Sequence, residues 1–349
     1  MRFSRICSSL LATTLVCLSL NCDLHADQRD FFSAWSFSLP DGNPVWLKVS
    51  RIAQDNVGSS EIQALLLWSV GSARPVSNVR IENDKLLFER KLTWKPGGGK
   101  TTKRIIGPFT CELDDDDQLL LRVEQITLTD AGEKSTDDSS EVLQLRGHRI
   151  PSPPEAPDLS EVGFGESIVL FNGNNLDGWK LSRSTKRNGW SAVDGVLINE
   201  TPKTDFAAYG EFGNLITERL FEDFELTLEY NVPAGGNSGV YLRGMYEAQV
   251  VDRHSRMQGI NGPGAIFGRI APSVNAGKLG GEWNRYVLTL VDRHITVVLN
   301  GQKVIDNKLL EGCTGGGLSS NDTRPGPIFL QGDHTSVRYR NISIRPRVK

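Results

Sequence analysis

Cysteine is scarce: five occur in 349 residues, and Cys7, Cys17 and Cys22 fall within the first 26. Cys111 and Cys313 are all that remain, in different putative halves of the chain. That count excludes a disulfide framework and a cysteine-based zinc site, leaving two separate buried thiols as the expectation. Long apolar runs are missing as well. Past Ala26 no stretch approaches the length a membrane-spanning helix needs, so no span is expected. Nor is the charge one-sided, since 39 Lys and Arg face 42 Asp and Glu. Without Arg2, Arg5 and Asp23 of the first 26 residues the balance is 37 to 41, which does not attract a polyphosphate backbone. Nucleic acid is excluded as a partner.

What is present starts with an address. Arg2 and Arg5 precede an apolar run from Ile6 to Leu20, and Leu24-His25-Ala26 supplies the small residue of a cleavage site. Residues 1–26 therefore read as a signal peptide and imply a periplasmic or extracellular location. A lipidated Cys22 would need a small residue before it, and Asn21 is not one.

The length allows about two domains. Pro151, Pro153, Pro154 and Pro157 crowd seven residues into a stiff, extended spacer, which sets the boundary. The resulting division is 27–150, a linker over 151–163, and 164–349. Of the 35 glycines, nine lie in 27–160 and 26 in 161–349, so the second unit depends more on turns and close backbone approach.

Short apolar runs separated by turn signals fill the first unit, as in Ala34–Leu39, Ile62–Val70, Gln118–Leu128 and Val142–Ile150. Strands at this spacing predict a small antiparallel β-barrel or sandwich, its role unassigned. Gly97-Gly98-Gly99-Lys100-Thr101 fails as a phosphate loop because the motif's first glycine would fall at Trp94. Asp114 to Asp117 read as a solvated turn, without the spaced ligands that wrap calcium.

The second unit is also all-β. Phe224–Tyr230, Ser238–Arg243, Tyr246–Val251, Tyr286–Val291 and Ile295–Asn300 alternate with period two, and helical periodicity is absent. Six segments follow in order: Leu170-Phe171-Asn172-Gly173 through Gly178-Trp179; Asn237 to Arg243; Tyr246 to Asp252; Gly281-Glu282-Trp283-Asn284; Leu299-Asn300-Gly301; and Leu330-Gln331 with His334 and Arg340-Asn341-Ile342. The series resembles the 3-keto-disaccharide hydrolase domain family over residues 164–348. The resemblance implies a concanavalin A-like two-sheet jelly roll, bacterial export, and a substrate among oligosaccharides or their oxidised 3-keto forms.

Residues two apart share a face of a strand, so Glu247 and Gln249 look away from Ala248 and Val250. Asp252 lies at an odd offset and would join them only through a β-bulge near Val250-Val251, which is expected here. The row Glu247-x-Gln249-x-x-Asp252 is similar in spacing to the acidic strand of jelly-roll glycosidases, except that Gln249 replaces the middle carboxylate. Ordinary retaining hydrolysis, with carboxyl groups about 5–5.5 Å apart, is then disfavoured. A 3-keto sugar needs less, because its ketone acidifies the C2 hydrogen and one base with one acid can expel the C1 substituent.

The expected catalytic set is Glu247, Asp252, Arg243 and His334, with Arg243 in phase with Gly239 and Tyr241 to hold the keto oxygen. The expected substrate contacts are Tyr241 as a stacking face, Gln249, Asn237 and His254. No cofactor is assigned, and a divalent cation on Glu247 and Asp252 stays open. A non-catalytic glycan-binding module and a surface interaction protein are the alternatives.

Overall fold

The computed structural model describes residues 30–53, 60–95, 101–129, 131–135, 140–201 and 211–348. The signal reading of 1–26 and Gly97 to Lys100 of the glycine run lie outside the described residues.

Alternation in the first half produces one antiparallel ten-stranded sheet. Its path runs Val70–Pro75, Ser60–Trp68, Pro44–Ala53, Ala34–Ser38, Glu141–Ile150, Leu119–Leu128, Thr102–Leu113, Lys85–Glu89 and Ser77–Glu82, with Thr93–Trp94 paired to Thr102–Leu113. The sheet curls over its own apolar face. Trp68 thereby meets Trp94 and Phe109 edge-on, with ring centroids 5.9 and 5.7 Å apart, around a core that includes Trp35, Leu47, Phe88 and Leu121. At the acidic turn, Asp114 Oδ1 accepts from the Asp116 and Gln118 backbone N–H groups, and Asp117 pairs with Arg149.

The second half is a two-sheet jelly roll. The larger sheet runs Trp190–Val193, Val196–Asn199, Val337–Pro346, Phe224–Asn231, Asn284–Val291, His294–Leu299 and Gln302–Leu309, with Ile168–Val169 beside Val337–Pro346. Opposite it lies a five-stranded sheet in the order Trp179–Leu181, Leu215–Thr217, Phe329–Leu330, Asn237–Leu242 and Tyr246–Val251. Phe224, Leu226, Leu228 and Tyr230 of the first sheet join Val240, Leu242, Tyr246, Ala248 and Val250 of the second in one core. Tyr241, Glu247 and Gln249 belong to the other face of the small sheet.

Residues Phe31–Lys349 form one unit, and its halves share side chains. Trp46, Leu67 and Ile150 of the first half belong to the jelly-roll core. Trp46 lies on Gly312, with Arg269 stacked over its ring at 4.4 Å. The Ser320 hydroxyl reaches Ser36 Oγ and the carbonyls of Phe37 and Val45. Arg293 and Asp322 form a buried ion pair beneath this junction, and Arg293 also donates to the Pro151 carbonyl. Cys111 and Cys313 are free, buried thiols, and burial pushes Cys313 up to about 12.

Candidate active site

The hairpin Asn237–Leu242 and Tyr246–Val251 pairs without interruption from Asn237↔Val251 to Leu242↔Tyr246. The expected bulge at Val250-Val251 is therefore absent, a correction to the sequence reading. Glu247 sits opposite Tyr241 near the hairpin's closed end, and Val251 lies about 13 Å farther along the strand. Asp252 comes after that strand. Its carboxylate accepts from Gly235 N at 2.6 Å and His254 N at 2.8 Å, tying the open end of the hairpin together. Glu247 and Asp252 thus work at opposite ends, and they do not converge on a shared cation. Among the described residues no group of three or more His, Cys, Asp or Glu side chains is arranged to hold a metal.

Glu247 is only 4% exposed. Gly239 makes room for it: a Cβ there would fall 2.3 Å from Glu247 Oε1, so the side chain lies across bare backbone. Its Oε2 accepts the Tyr241 hydroxyl at 2.9 Å, and its backbone N–H donates to Thr314 Oγ1 at 3.0 Å. Burial raises its proton affinity most, the Tyr241 hydrogen bond lowers it, and the Asp333 carboxylate raises it again; the outcome is a carboxyl pushed up to about 8. A side chain of this kind is a carboxylic acid at neutral pH with an accessible carboxylate form, which suits general acid or base work.

Three expectations change with these contacts. Arg243 does not continue the phase of Gly239 and Tyr241, because the strand stops at Leu242 and Arg243 and Gly244 both take positive φ, 53° and 64°. The turn redirects its guanidinium to the carbonyls of Asp322 and Arg324, at 2.6–3.1 Å. It braces the 322–324 loop instead of standing over a keto oxygen. Tyr241 is fully buried, with its ring stacked on Phe329 at 4.3 Å, so its face is taken. Its contribution is the hydroxyl, which also lies 3.0 Å from the Gly315 carbonyl and accepts from Gln331 Nε2 at 3.3 Å. Gln249 faces the 257–261 loop, donating to the Asn261 carbonyl at 3.2 Å.

The loop after Phe329–Leu330 supplies the rest. His334 Nδ1 lies 2.6 Å from Asp333 Oδ1, and both side chains keep 15% of their surface accessible. Asp333 connects this pair electrostatically to Glu247. Asn237 exchanges hydrogen bonds with Thr335 through its backbone, leaving Asn237 Oδ1 buried without a partner, and Gln331 Oε1 shares that condition. Asn237 pairs with Val251 at the open end of the hairpin, away from Glu247, whereas Gln331 also donates to the Tyr241 hydroxyl, so its free Oε1 is an acceptor close to the Tyr241–Glu247 pair that a ligand hydroxyl can satisfy. His254 is an exposed loop residue that meets Asp252 through its backbone N–H. An open depression of about 610 Å³ lined by Arg187, Trp190, Glu200, Phe212 and Ser336 lies behind the same loop, and Glu247 is not part of its lining.

Sequence reasoning gave no role to Asp333, Gln331 and Gly315. Gln331 was quoted in one motif with His334 and Asp333 lies between them, while Thr314-Gly315-Gly316-Gly317 carries the glycine signal of close backbone approach.

A family model described as the 3-keto-alpha-glucoside-1,2-lyase-like domain matches residues 166–345. A 3-keto-disaccharide hydrolase of Bacteroides thetaiotaomicron is 32% identical over 75 residues, 21% of this chain and 26% of the relative. The match thus spans about a quarter of that relative's length. Two solved Parabacteroides distasonis structures, both provisionally described as glycosyl hydrolases, are similar to 52% of this chain. One is 26% identical, covered over 100% of its length with a TM-score of 0.40; the other is 20% identical, covered over 93% with a TM-score of 0.41.

Proposed function

The chain belongs to the 3-keto-alpha-glucoside-1,2-lyase-like domain family, and from that premise we propose that it is an exported bacterial enzyme cleaving the C1–O bond of 3-keto-glycosides. The observation that carries the reading is Glu247, a carboxyl buried against the Tyr241 hydroxyl, where burial pushes its proton affinity up to about 8. Export rests on the charged, apolar and small-residue pattern of residues 1–26.

In this mechanism the substrate enters from the side where Asp333 and His334 are accessible. His334 Nδ1 lies 2.6 Å from Asp333 Oδ1, and the reading assigns the tautomer in which Asp333 accepts from Nδ1 and Nε2 acts as the base. That nitrogen removes the C2 hydrogen, acidified by the neighbouring ketone. Electrons from the C2–H bond form the C1=C2 double bond as the C1–O bond breaks. Glu247, protonated at neutral pH, delivers its proton to the departing oxygen. Addition of water across the enone then gives the free 3-keto sugar, so lyase and hydrolase outcomes differ only in this second step. The orphan acceptor Gln331 Oε1 receives a sugar hydroxyl.

The test is incubation of the purified chain with a 3-keto-disaccharide and with its unoxidised parent. The reading expects cleavage of the keto sugar alone, and a loss of about 10²–10⁴ in kcat for Glu247→Gln. An intact keto sugar, or full turnover by Glu247→Gln, overturns it. Tight binding of the unoxidised sugar without turnover would establish a binding module instead.

A further inference from the structure

The turn that carries Asp333 and His334 is held by a side chain at a position where alternation calls for an apolar one. In Val196–Asn199 the side chains of Leu197 and Asn199 share a face; Leu197 lies in the jelly-roll core, and Asn199 is fully buried. A buried amide is costly unless its hydrogens are used. Asn199 Nδ2 uses them on the carbonyls of Gly332, at 3.0 Å, and Thr335, at 3.3 Å. The opposite amide orientation would set Oδ1 against two carbonyl oxygens. Gly332 and Thr335 flank the Asp333–His334 pair, so one side chain ties both ends of the turn.

Gly332 is pinned further. Thr201 Oγ1 donates to its carbonyl at 2.5 Å, and Asn214 Oδ1 accepts from its N–H at 2.7 Å. A Cβ on Gly332 would fall 2.7 Å from Trp190 Nε1 and 2.8 Å from the Gly213 carbonyl oxygen, so its backbone lies directly against that wall. At the other end Thr335 Oγ1 exchanges hydrogen bonds with the Asn237 backbone, and Ser336 Oγ donates to the Thr201 carbonyl at 3.0 Å. The chain leaves the small sheet at Leu330 and enters the large sheet at Val337, directly opposite Asn199. The network therefore fixes the crossing between the sheets, where backbone polar groups leave one ladder before they join the next.

We propose that Asn199, with Thr201, is a positioning residue for the Asp333–His334 pair: by holding the carbonyls on either side of the pair, it sets where Asp333 Oδ1 meets His334 Nδ1. Asn199 and Thr201 are 0% and 1% exposed, which puts both out of a ligand's reach. They act through the backbone that presents the pair. With that backbone held, the 2.6 Å contact between Asp333 and His334 forms from fixed starting points. With it released, the pair separates and His334 meets the substrate from a displaced position.

The experiment reads the His334 ring nitrogens in the full chain by long-range ¹H–¹⁵N NMR. The ring is assigned by loss of its signals in His334→Gln, and Asp333→Asn supplies the pattern without the carboxylate. Asn199→Ala is expected to move the Nδ1 and Nε2 shifts toward the Asp333→Asn pattern and to lower kcat on the keto sugar by about 10²-fold. Thr201→Val, which removes one donor to Gly332 and leaves no cavity, is expected to move the shifts the same way by less, and supplies the reading if Asn199→Ala does not fold. Ser320→Ala deletes a buried hydroxyl at the junction with the first sheet, and should lower Tm with the ring shifts unmoved.

Ring shifts of a folded Asn199→Ala, or failing that of Thr201→Val, that stay at the parent values or move elsewhere overturn the proposal. So does a Ser320→Ala displacement as large as theirs, because general loosening would then account for all of them. Shifts that ignore Asp333→Asn overturn it too, since there would be no pair to position. The inference rests on the proposed function only for its consequence in turnover. The expected ring shifts alongside an uncleaved keto sugar, or an undiminished kcat, overturn His334 as the base and leave the clamp standing. Parent ring shifts in variants of an enzyme that cleaves the keto sugar overturn the clamp and leave the function standing.

Discussion

Tyr241 and Glu247 stand directly opposite each other on two antiparallel strands, with hydroxyl and carboxyl 2.9 Å apart on the face turned away from the jelly-roll core. That pair, with Gly239 beneath it, defines where chemistry is expected, and substitutions around it separate reaction from folding.

Gly239→Ala is the most direct perturbation of Glu247 that leaves Glu247 in place. The added methyl would occupy the position of Oε1 and turn the carboxyl out of its seat. A displacement of that size is expected to lower kcat by about 10²-fold. Steady-state kinetics on the keto sugar, with a thermal melt to confirm folding, is the check; unchanged kcat in a folded protein would place the chemistry elsewhere.

Glu247 also links stability to pH. Its carboxyl shifts from an ordinary 4.5 to about 8 in the folded protein, so between those values the folded state binds the extra proton. Its contribution to stability is fully present below about pH 4.5 and is lost as pH rises through about 8. Glu247→Gln, which mimics the protonated side chain, should gain on the parent progressively across that window, by a few kcal/mol at its upper end. Thermal melts in matched buffers from pH 4 to about 9 decide it, and a constant difference in Tm would mean that the Glu247 carboxyl binds its proton alike in the folded and unfolded chain.

Asp252 is expected to matter for folding instead. Asp252→Ala removes the carboxylate that accepts from the backbone N–H groups of Gly235 and His254, at a cost of about 1–3 kcal/mol. The pH profile of turnover should keep its shape. A profile that loses one limb in a folded Asp252→Ala would return Asp252 to the catalytic set.

Arg293 and Asp322 form an ion pair with side chains 10% and 2% exposed, at the junction of the two halves. Removing one partner leaves the other charge buried and unpaired, so Asp322→Ala should destabilise by about 3–5 kcal/mol. Replacing both by apolar residues of similar volume should recover much of that loss. Denaturant unfolding of the single and double variants measures the difference, and equal losses in both would show that the cost does not come from an unpaired buried charge.

The sheets were legible from alternation, because a strand with one face in a core must repeat with period two. Ala248 and Val250 were placed inward on that ground alone, and they are core residues. What period two does not report is where a strand stops. Leu242 ends one strand because Arg243 and Gly244 turn left-handed in a three-residue loop closed by Met245, a signal that Arg in place of Asn or Asp obscures. Asp252 was read by phase, yet its partner Gly235 is 17 residues away, across the hairpin. Gly315 is more distant still in sequence from Gly71, and only the folded chain brings their backbones together.

Trp46 carries a consequence for how such a chain can be divided. Its ring fills space in the core of the other half, on a Gly312 that admits no side chain. A gene trimmed to begin after Pro157 would encode a jelly roll with a hole in its wall, and the excised first sheet would present a bare indole to water. The two halves are therefore poor modules for recombination: exchanging either one requires redesigning the surface it leaves behind.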